Sequence, residues 1–366
     1  MAYGWRSMTE GTRWKTTISG VFLTLVFLVL GGCEQTRVHV EGTPYHHIQG
    51  GFRNPPGSPQ YVASLKDIIS ASSDRIIEGI RGYAPTLSPE YILAPAKVRM
   101  GLAQVKDMDA LTWLGHASFL INLGGKTILT DPFLSEYATG APPFGPRRAT
   151  PPALSAEELP QIDILVVSHN HYDHLDAETV EALPRKDNIH VIVPLGMGAF
   201  FKERGYTLVT ELDWYASTEV EGVLVTAIPA IHHSGRGLFD HNETLWASYV
   251  FKHNAKQIFF SSDTAYGAVY PEIGRKIGPV DYALVPIGVY EPRERMKSHH
   301  VNPAEALRIG QDLHAKTIIA SNWGTIRLSD EPFEEPPQRF RQVAEENGYT
   351  EETAWILRIG ESRLLD

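Results

Sequence analysis

The chain has 366 residues, of which 43% are hydrophobic and 21% charged, as is ordinary for a globular protein with one large domain or two medium ones. Its formal net charge is −10, which argues against broad nucleic-acid binding and a ribonuclease role, because phosphate contacts need clustered Lys and Arg. The only cysteine is Cys33, so an internal disulfide is excluded.

The first 33 residues have the order of a lipoprotein signal peptide. Arg13 and Lys15 precede the apolar run VFLTLVFLVL (21–30), which is too short to span a bilayer and has the length of a signal-peptide core. The next residues complete LGGC, which is similar to a lipobox, so we expect Cys33 to carry lipid and to anchor the protein on the periplasmic face of a membrane. Glu34 stands where many inner-membrane lipoproteins have Asp, which favours the outer membrane. A buried or free thiol is the alternative.

Residues 34–104 are interpreted as an N-terminal extension that wraps around the main domain. The stretch EGTPYHHIQGGFRNPPGSPQ is rich in Gly and Pro, which predicts an extended arm. Two helical segments are predicted after it, around residues 61–81 and 88–100. The arm and its start contain three histidines, interpreted as solvated loop side chains with a metal role left open: His39, His46 and His47.

From residue 105 to residue 366, short apolar runs alternate with helix-like segments, which predicts one α/β layered domain. The predicted strands are LTWL, SFLINL, KTILT, IDILVVS (162–168), HVIVP (190–194), VLVTAIP (223–229), LWASYVF (245–251), QIFFSS (257–262), DYALVPI (281–287), KTIIAS (316–321) and AWILRI (354–359). The predicted helices are DAETVEAL, PAEALRIGQDLH and PPQRFRQVAEENG. The aperiodic segment 135–155 is predicted to be a loop over a site.

Polar side chains follow five of the predicted strands, at the point where each strand ends. They are Asp131, the motif SHNHYDHLD (168–176), His232 with His233, Asp263, and Asn322. In open α/β architectures, ligands and catalytic groups gather beyond the carboxyl ends of strands. The pattern therefore predicts one functional site at this edge.

The motif SHNHYDHLD contains three histidines and two aspartates within nine residues. Buried imidazoles need hydrogen-bond partners and repel one another when protonated, and a divalent metal removes both problems by taking the ring nitrogens as ligands. Imidazole and carboxylate together suit zinc, with iron or manganese also open. We expect His169 and His171 to point to one side, and Asp173 and His174 to the other, as two neighbouring metal positions require.

The six residues HNHYDH (169–174) resemble the HxHxDH signature of the metallo-β-lactamase fold. The surrounding sequence is similar to the N-acyl-phosphatidylethanolamine-hydrolysing phospholipase D family. The matching stretches are WLGHASFLI, TDPFLSEYA, FGPRRATPP, SHNHYDHLD, LDWY, SGRGLFDHNETLWASYVF, SDTAYG, GPVDYALVPIGVYEPR, HVNPAEA and GESR. The resemblance implies a four-layer αββα sandwich, with two sheets face to face, helices outside and metals at one edge.

The resemblance also implies roles for individual residues. The first metal would be held by His169, His171 and His232, and the second by Asp173 and His174, with Asp263 bridging both. His232 rather than His233 matches the family pattern. Asp131, and less specifically His116, would support the ligand histidines, although a core role for His116 is equally open. Asp173 would orient the attacking metal-bound hydroxide, and His300 would lie near the substrate phosphate as a proton donor or phosphate ligand.

The sequence departs from the family pattern at three positions. Asn322 stands where the family has the last histidine ligand of the second metal, and an amide oxygen is a weaker zinc ligand than imidazole. Ser262 and Ala265 replace glycines of the family. The expected cofactor is therefore one tightly bound zinc, with a second ion that is weaker or a different metal.

The leading hypothesis is a zinc-dependent phosphodiester hydrolase, with phospholipase D-type action on N-acyl-phosphatidylethanolamine or a related lipid. Its expected partners are that lipid and the membrane, and not nucleic acid. Two alternatives stay open: a lactone or ester hydrolase of the same fold, since one fold hosts many chemistries, and a non-catalytic metal-binding lipoprotein made inert by Asn322.

Overall fold

The computed structural model describes residues 38–59, 86–237 and 239–366. The strands are β1 His47–Ile48, β2 Gly51–Phe52, β3 Ala110–Gly115, β4 Ser118–Leu123, β5 Lys126–Thr130, β6 Ile164–Val166, β7 His190–Pro194, β8 Leu208–Leu212, β9 Ser217–Val220, β10 Val223–Ile228, β11 Ser248–His253, β12 Lys256–Phe260, β13 Tyr282–Pro286, β14 Thr317–Ser321, β15 Ala354–Trp355 and β16 Ser362–Leu364. The α-helices are α1 Pro95–Val105, α2 Ala177–Ala182, α3 Gly198–Lys202, α4 Val269–Ile277, α5 Arg293–Met296, α6 Pro303–Asp312 and α7 Glu335–Glu346.

Two seven-stranded sheets form the body of the molecule. The first has the order β16-β3-β4-β5-β6-β7-β8, and the second has the order β15-β14-β13-β12-β11-β10-β9. In each sheet one half is antiparallel and the other half, from β5 to β8 or from β12 to β15, is parallel. This is the mixed α/β architecture with two large sheets that the sequence predicts.

The core lies between the sheets because the central strands are apolar along their whole length. All residues of β6, β13 and β14 are buried, as expected for strands covered on both faces. Large rings such as those of Trp113, Phe119 and Tyr249 are fully buried. The Tyr249 hydroxyl on β11 donates to the carbonyl of Val167 after β6, which ties the second sheet to the first beside the histidine motif.

Parallel pairing brings the polar strand ends to one edge. Thr130 at the end of β5 pairs with Val166 at the end of β6, so the residues that follow, beginning with Asp131, emerge side by side. The Asp131 backbone N–H donates to the Val166 carbonyl at 2.9 Å. In the second sheet, β12 and β14 flank β13 and deliver Asp263 and Asn322 to the same edge.

Each predicted strand and helix of the main domain overlaps an observed one, and the bounds of most are shifted. The segment predicted as a strand over 245–251 becomes one only at residue 248, and AWILRI forms only the two residues of β15. The helix predicted over 88–100 begins at Pro95, after a short 3-10 turn at Pro89–Tyr91. Strands β8, β9 and β16 and helices α3 to α5 were not predicted, because their apolar patterns are short or interrupted.

Two predicted features fall outside the described residues: the signal peptide with Cys33, and the helix around 61–81. Within the described ranges, none of the helices has both the length and the apolar character that crossing a membrane requires. Segment 135–155 contains no helix of the α type and no strand. It packs against the histidine motif, since Tyr172 lies so close to Gly140 that a side chain at that glycine would clash with the Tyr172 hydroxyl. This contact fits a loop beside the site.

Candidate metal centre

Three imidazoles converge after the ends of β6 and β10. His169 Nε2 lies 2.9 Å from His171 Nδ1, and His232 Nε2 lies 3.4 Å from the same atom. His169 and His232 are buried, and His171 is half-buried. These three nitrogens form a group with the spacing of ligands to one metal ion.

Hydrogen bonds at Nδ1 fix the tautomers of His169 and His232. His232 Nδ1 donates to the carbonyl of His299 at 2.9 Å. His169 Nδ1 contacts the Ser168 hydroxyl at 2.8 Å, and that hydroxyl is oriented by the Asp131 carboxylate at 2.7 Å. A neutral imidazole that donates from Nδ1 presents the lone pair of Nε2, which is the metal-binding form. The residues present therefore fit a metal ion.

A second group of ligand atoms lies beside the first. His174 Nε2 is 3.2 Å from Asp263 Oδ2 and 3.5 Å from Asp173 Oδ2, and it makes no hydrogen bond. His174 Nδ1 donates to Asp131 at 2.8 Å, so its Nε2 also faces the centre. Asp263 Oδ2 is 3.7 Å from His232 Nε2, which brings this one carboxylate close to both groups. The structure thus brings six of the predicted ligand residues together in two adjoining groups: His169, His171 and His232 in one, and Asp173, His174 and Asp263 in the other.

Burial and the neighbouring histidines hold the first group neutral. Burial lowers the pKa of His169 well below its usual range, with further lowering from His174. Burial, followed by His232, lowers the pKa of His171 to about 3, and burial also lowers the pKa of His232. Neutral imidazole is the form that ligates metals, so the electrostatics suit the proposed role.

The second group has the opposite electrostatics. Burial would lower the pKa of His174, but the carboxylates of Asp263 and Asp173 raise it well above its usual range. Burial would raise the pKa values of both aspartates, but His174 holds them well below the usual range, together with His300 for Asp263. Two ionised carboxylates facing one another across an imidazole form an anionic position that suits a cation.

The predicted supporting residues contact the predicted ligands directly. Asp131 is fully buried, and its carboxylate accepts from Ser168, Ser262 and His174 at 2.6–2.8 Å. His116 Nε2 donates to Asp173 Oδ2 at 2.9 Å, which holds that carboxylate in place. Ser262, which resemblance identified as a replacement for glycine, has a φ of +52° and contacts His174 Nδ1 at 3.2 Å.

Asn322 faces the centre through its amide nitrogen. Its Nδ2 donates to Asp263 Oδ1 at 2.6 Å, while its buried Oδ1 has no hydrogen-bond partner. The amide in this orientation presents a proton to the carboxylate and not an oxygen lone pair to a metal. Asn322 therefore restrains Asp263, and an amide flip would be needed before its oxygen could ligate.

His300 and His299 lie on the loop after α5, on the other side of Asp263. His300 is 7% exposed, and its Nδ1 is 3.9 Å from Asp263 Oδ2 without a hydrogen-bond partner. Burial lowers the pKa of His300 to about 4, so its ring is neutral at neutral pH. His233 lies behind His232, with its ring 4.7 Å from that of His171. The candidate ligand set is thus bordered by three further imidazoles.

Two residues that the sequence did not single out also shape the centre. Arg236 donates through Nη1 to the carbonyls of Asn170 and Leu175 at 2.9 and 2.6 Å, and its guanidinium stacks over the Tyr172 ring. These contacts hold the loop of the histidine motif in place. Asn54, in the N-terminal arm, accepts the backbone N–H of His232 at 2.9 Å. A buried asparagine in a Gly/Pro-rich arm carries no periodic signal, so only the fold reveals this contact.

Replacing Asn54 with alanine should loosen His232 and lower the free energy of unfolding by about 1–3 kcal/mol, because it leaves a buried N–H without an acceptor. The indole N–H of Trp246 also contacts Asn54 but keeps a second acceptor, the Ala230 carbonyl. Denaturant unfolding and zinc titration of the variant measure both effects. Asn188, which is exposed, provides the matched control. An Asn54→Ala protein as stable and as metal-competent as Asn188→Ala would contradict this role.

Comparison with known proteins agrees with the fold. Residues 126–323 match the sequence model of the Beta-lactamase superfamily domain. The chain is 37% identical over 257 residues to N-acyl-phosphatidylethanolamine-hydrolyzing phospholipase D 1 of Caenorhabditis elegans, which covers 67% of this chain and 72% of that protein. It is 36% identical over 262 residues to the mitochondrial N-acyl-phosphatidylethanolamine-hydrolyzing phospholipase D of Saccharomyces cerevisiae, covering 70% of this chain and 56% of the yeast protein.

A solved structure shares the fold at low identity. The structure of a possible metal-dependent hydrolase from Veillonella parvula aligns with a TM-score of 0.57 and 17% identity, over 70% of this chain and all of that one. Two seven-stranded sheets with a His/Asp centre at their edge define a metal-dependent hydrolase of the metallo-β-lactamase fold. The chain belongs to the metallo-β-lactamase superfamily. Within that superfamily it belongs to the N-acyl-phosphatidylethanolamine-hydrolysing phospholipase D family.

Proposed function

We propose that the protein is a zinc-dependent phosphodiesterase that hydrolyses N-acyl-phosphatidylethanolamine or a related lipid, with phospholipase D-type cleavage. The observation that carries the proposal is the match to 72% of the nematode phospholipase D at 37% identity, combined with the converging imidazoles and carboxylates. In this proposal His169, His171 and His232 hold the first ion. Asp173 and His174 hold a second, and Asp263 reaches both.

A bound zinc ion would lower the pKa of a water molecule from that of bulk water to ~7 and stabilise charge on a phosphoryl oxygen. Asp173 would orient the attacking water and accept its proton. The support for this role is the hydrogen bond from His116 Nε2 at 2.9 Å, which holds one carboxylate oxygen of Asp173 in place. The water oxygen bonds to phosphorus, and the P–O bond to the ethanolamine oxygen breaks. That oxygen takes up the proton that Asp173 accepted from the water, and N-acylethanolamine leaves.

His300 is proposed to bind the substrate phosphate. Its Nδ1 is buried, lacks a hydrogen-bond partner, and lies 3.9 Å from Asp263 Oδ2, so it faces the centre. His300 is positioned by Arg293, which donates to the His300 carbonyl at 2.7 Å and forms an ion pair with Glu305. A substrate oxygen would satisfy this nitrogen.

The test compares three substrates with the purified protein in added zinc or manganese: N-acyl-phosphatidylethanolamine, bis-p-nitrophenyl phosphate and a lactone. We expect release of N-acylethanolamine and of nitrophenol, and loss of both with His171→Ala. Lactone cleavage without phosphodiester cleavage would favour the ester hydrolase alternative. Metal binding without turnover of any substrate would favour a non-catalytic metal-binding protein.

We also propose that Cys33 carries a lipid anchor that holds the enzyme at a membrane, with the outer membrane favoured. The support is the order of basic, apolar and small residues before Cys33. Cys33→Ser should release the protein from membranes or leave its signal peptide uncut, as fractionation and mass spectrometry would show. A processed variant that stays with the membranes would contradict the anchor. One acyl chain binds only marginally, so we expect more than one on the mature protein.

A further inference from the structure

A second cluster of potential metal ligands lies outside the centre, where the N-terminal hairpin meets the end of β8. One ring nitrogen each of His46 and His47 and a carboxylate oxygen of Asp213 all lie within 4.8 Å of one another. We propose that these three residues bind a divalent transition-metal ion, which joins the N-terminal arm to the hydrolase domain. The proposal does not depend on the substrate or on the metals of the centre.

Both imidazoles point their Nε2 atoms at the same carboxylate. His46 Nε2 lies 2.5 Å from Asp213 Oδ1, and His47 Nε2 lies 2.8 Å from Asp213 Oδ2. The same three side chains can therefore share either two N–H protons or one cation. Two imidazoles and one carboxylate are a ligand set that suits zinc, and three protein ligands leave a position for water.

The ligand side chains are held in place by their surroundings. The His46 ring stacks on Trp214 with 4.1 Å between centroids, and the His47 ring meets the edge of Phe52 at 5.2 Å. The Asp213 carboxylate also accepts the backbone N–H of Trp214 at 2.7 Å. Such contacts orient ligand groups in protein metal sites and raise their affinity.

Charge and access also favour a cation. Among the residues that the structure describes, Asp213 forms ion pairs with His46 and His47 and with no Lys or Arg. The side chains of His46, His47 and Asp213 are 7, 22 and 26% exposed, so the cluster is sheltered but open to ions from solvent. The three histidines of the arm were interpreted as solvated, and for His46 that interpretation is wrong.

The position of the cluster suggests what the ion would do. Residues 51–54 begin with β2, which pairs with β1, and the Phe52 backbone N–H donates to the Asn242 carbonyl at 2.8 Å. Two residues later, Asn54 accepts the N–H of His232. An ion held by His46, His47 and Asp213 would fasten the segment that supports a ligand of the metal centre.

Elemental analysis of the full-length protein, equilibrated at a fixed free zinc concentration, tests the site. The variant His46→Gln/His47→Gln keeps side-chain N–H donors for Asp213 but removes both imidazoles. We expect it to hold one zinc ion fewer per chain than the wild type. The matched control His190→Gln/His253→Gln removes two histidines elsewhere and should lose none. Equal zinc contents in the wild type and the arm variant would overturn the proposal.

A second measurement on the wild type guards against a variant that fails to fold. Diethyl pyrocarbonate modifies free imidazoles, and mass spectrometry of the peptides locates each modified histidine. Saturating zinc should slow modification of His47 by at least about tenfold, because metal coordination occupies the reactive nitrogen. His253, which bonds the Gly222 carbonyl, should react at the same rate with and without zinc. Unchanged rates at both His46 and His47 would overturn the proposal.

Discussion

Replacing His171 with alanine is expected to reduce hydrolase activity by more than about 100-fold and to empty the first metal position. Loss of residues that only support a metal ligand commonly costs ~10–100-fold in affinity or activity, so loss of a ligand should cost more. His171 Nδ1 lies 2.9 Å from His169 Nε2 and 3.4 Å from His232 Nε2, so it completes the three-nitrogen group. Asp263→Ala should have a similar effect, because it removes the carboxylate close to both groups.

The measurement combines zinc content with turnover of bis-p-nitrophenyl phosphate. His190→Ala, at the start of β7 and away from the motif, is the matched control and should keep full activity. In the metal-free state, the free energy of unfolding of His171→Ala should be close to that of the wild type, because His171 is half-buried and its Nδ1 faces other imidazoles. Full activity with retained metal in either ligand variant would reject the assignment.

The second large effect is expected from Asn322→His, which should raise zinc affinity at the second position by about tenfold or more. In the wild type we expect one tight and one weak zinc ion. Asp173, His174 and Asp263 remain for the weak position, but Asn322 points its amide nitrogen at Asp263 Oδ1 at 2.6 Å. A neutral amide oxygen also donates less charge to zinc than an imidazole nitrogen does.

The backbone at this position accommodates the change. Asn322 has a φ of +56°, a conformation in which Asn, Asp and His are enriched among non-glycine residues. Titration calorimetry with elemental analysis on the wild type and Asn322→His measures the second affinity, and Asn322→Ala separates the gain of imidazole from the loss of amide. Two tightly bound zinc ions of equal affinity in the wild type, unchanged in Asn322→His, would show that Asn322 does not weaken the centre.

The wild type has two routes by which it could compensate for Asn322. His300 Nδ1 lies 3.9 Å from Asp263 Oδ2 without a hydrogen-bond partner, so His300 could serve as a substitute ligand at the second position. A preference for manganese or magnesium, which accept oxygen ligands readily, is the other route. His300→Ala, made in the wild type and in Asn322→His, distinguishes the two routes. If His300 is the substitute ligand, the substitution weakens zinc binding at the second position in the wild type but not in Asn322→His.

The sequence by itself determined the class of fold and the edge where the site lies. Apolar runs such as IDILVVS and KTIIAS are long enough to identify buried strands, and polar residues stop them at Asp131, His169 and Asn322. Parallel strands end at a common edge, so these residues had to meet there. The nine-residue motif carries enough chemistry to predict a metal, because neighbouring buried imidazoles are unfavourable without one.

Only the tertiary structure decided which atoms face one another. The amide of Asn322 donates to Asp263, His116 holds Asp173, and Ser262 contacts His174, and these contacts depend on positive-φ loops whose side-chain directions local sequence does not encode. The arm shows the same limit more clearly. His46 is 167 residues from Asp213, and Asn54 is 178 residues from His232, so no local period links them. Long-range packing of the arm against the β-sheets brings these side chains together, and it does so through contacts that appear only when the chain is folded.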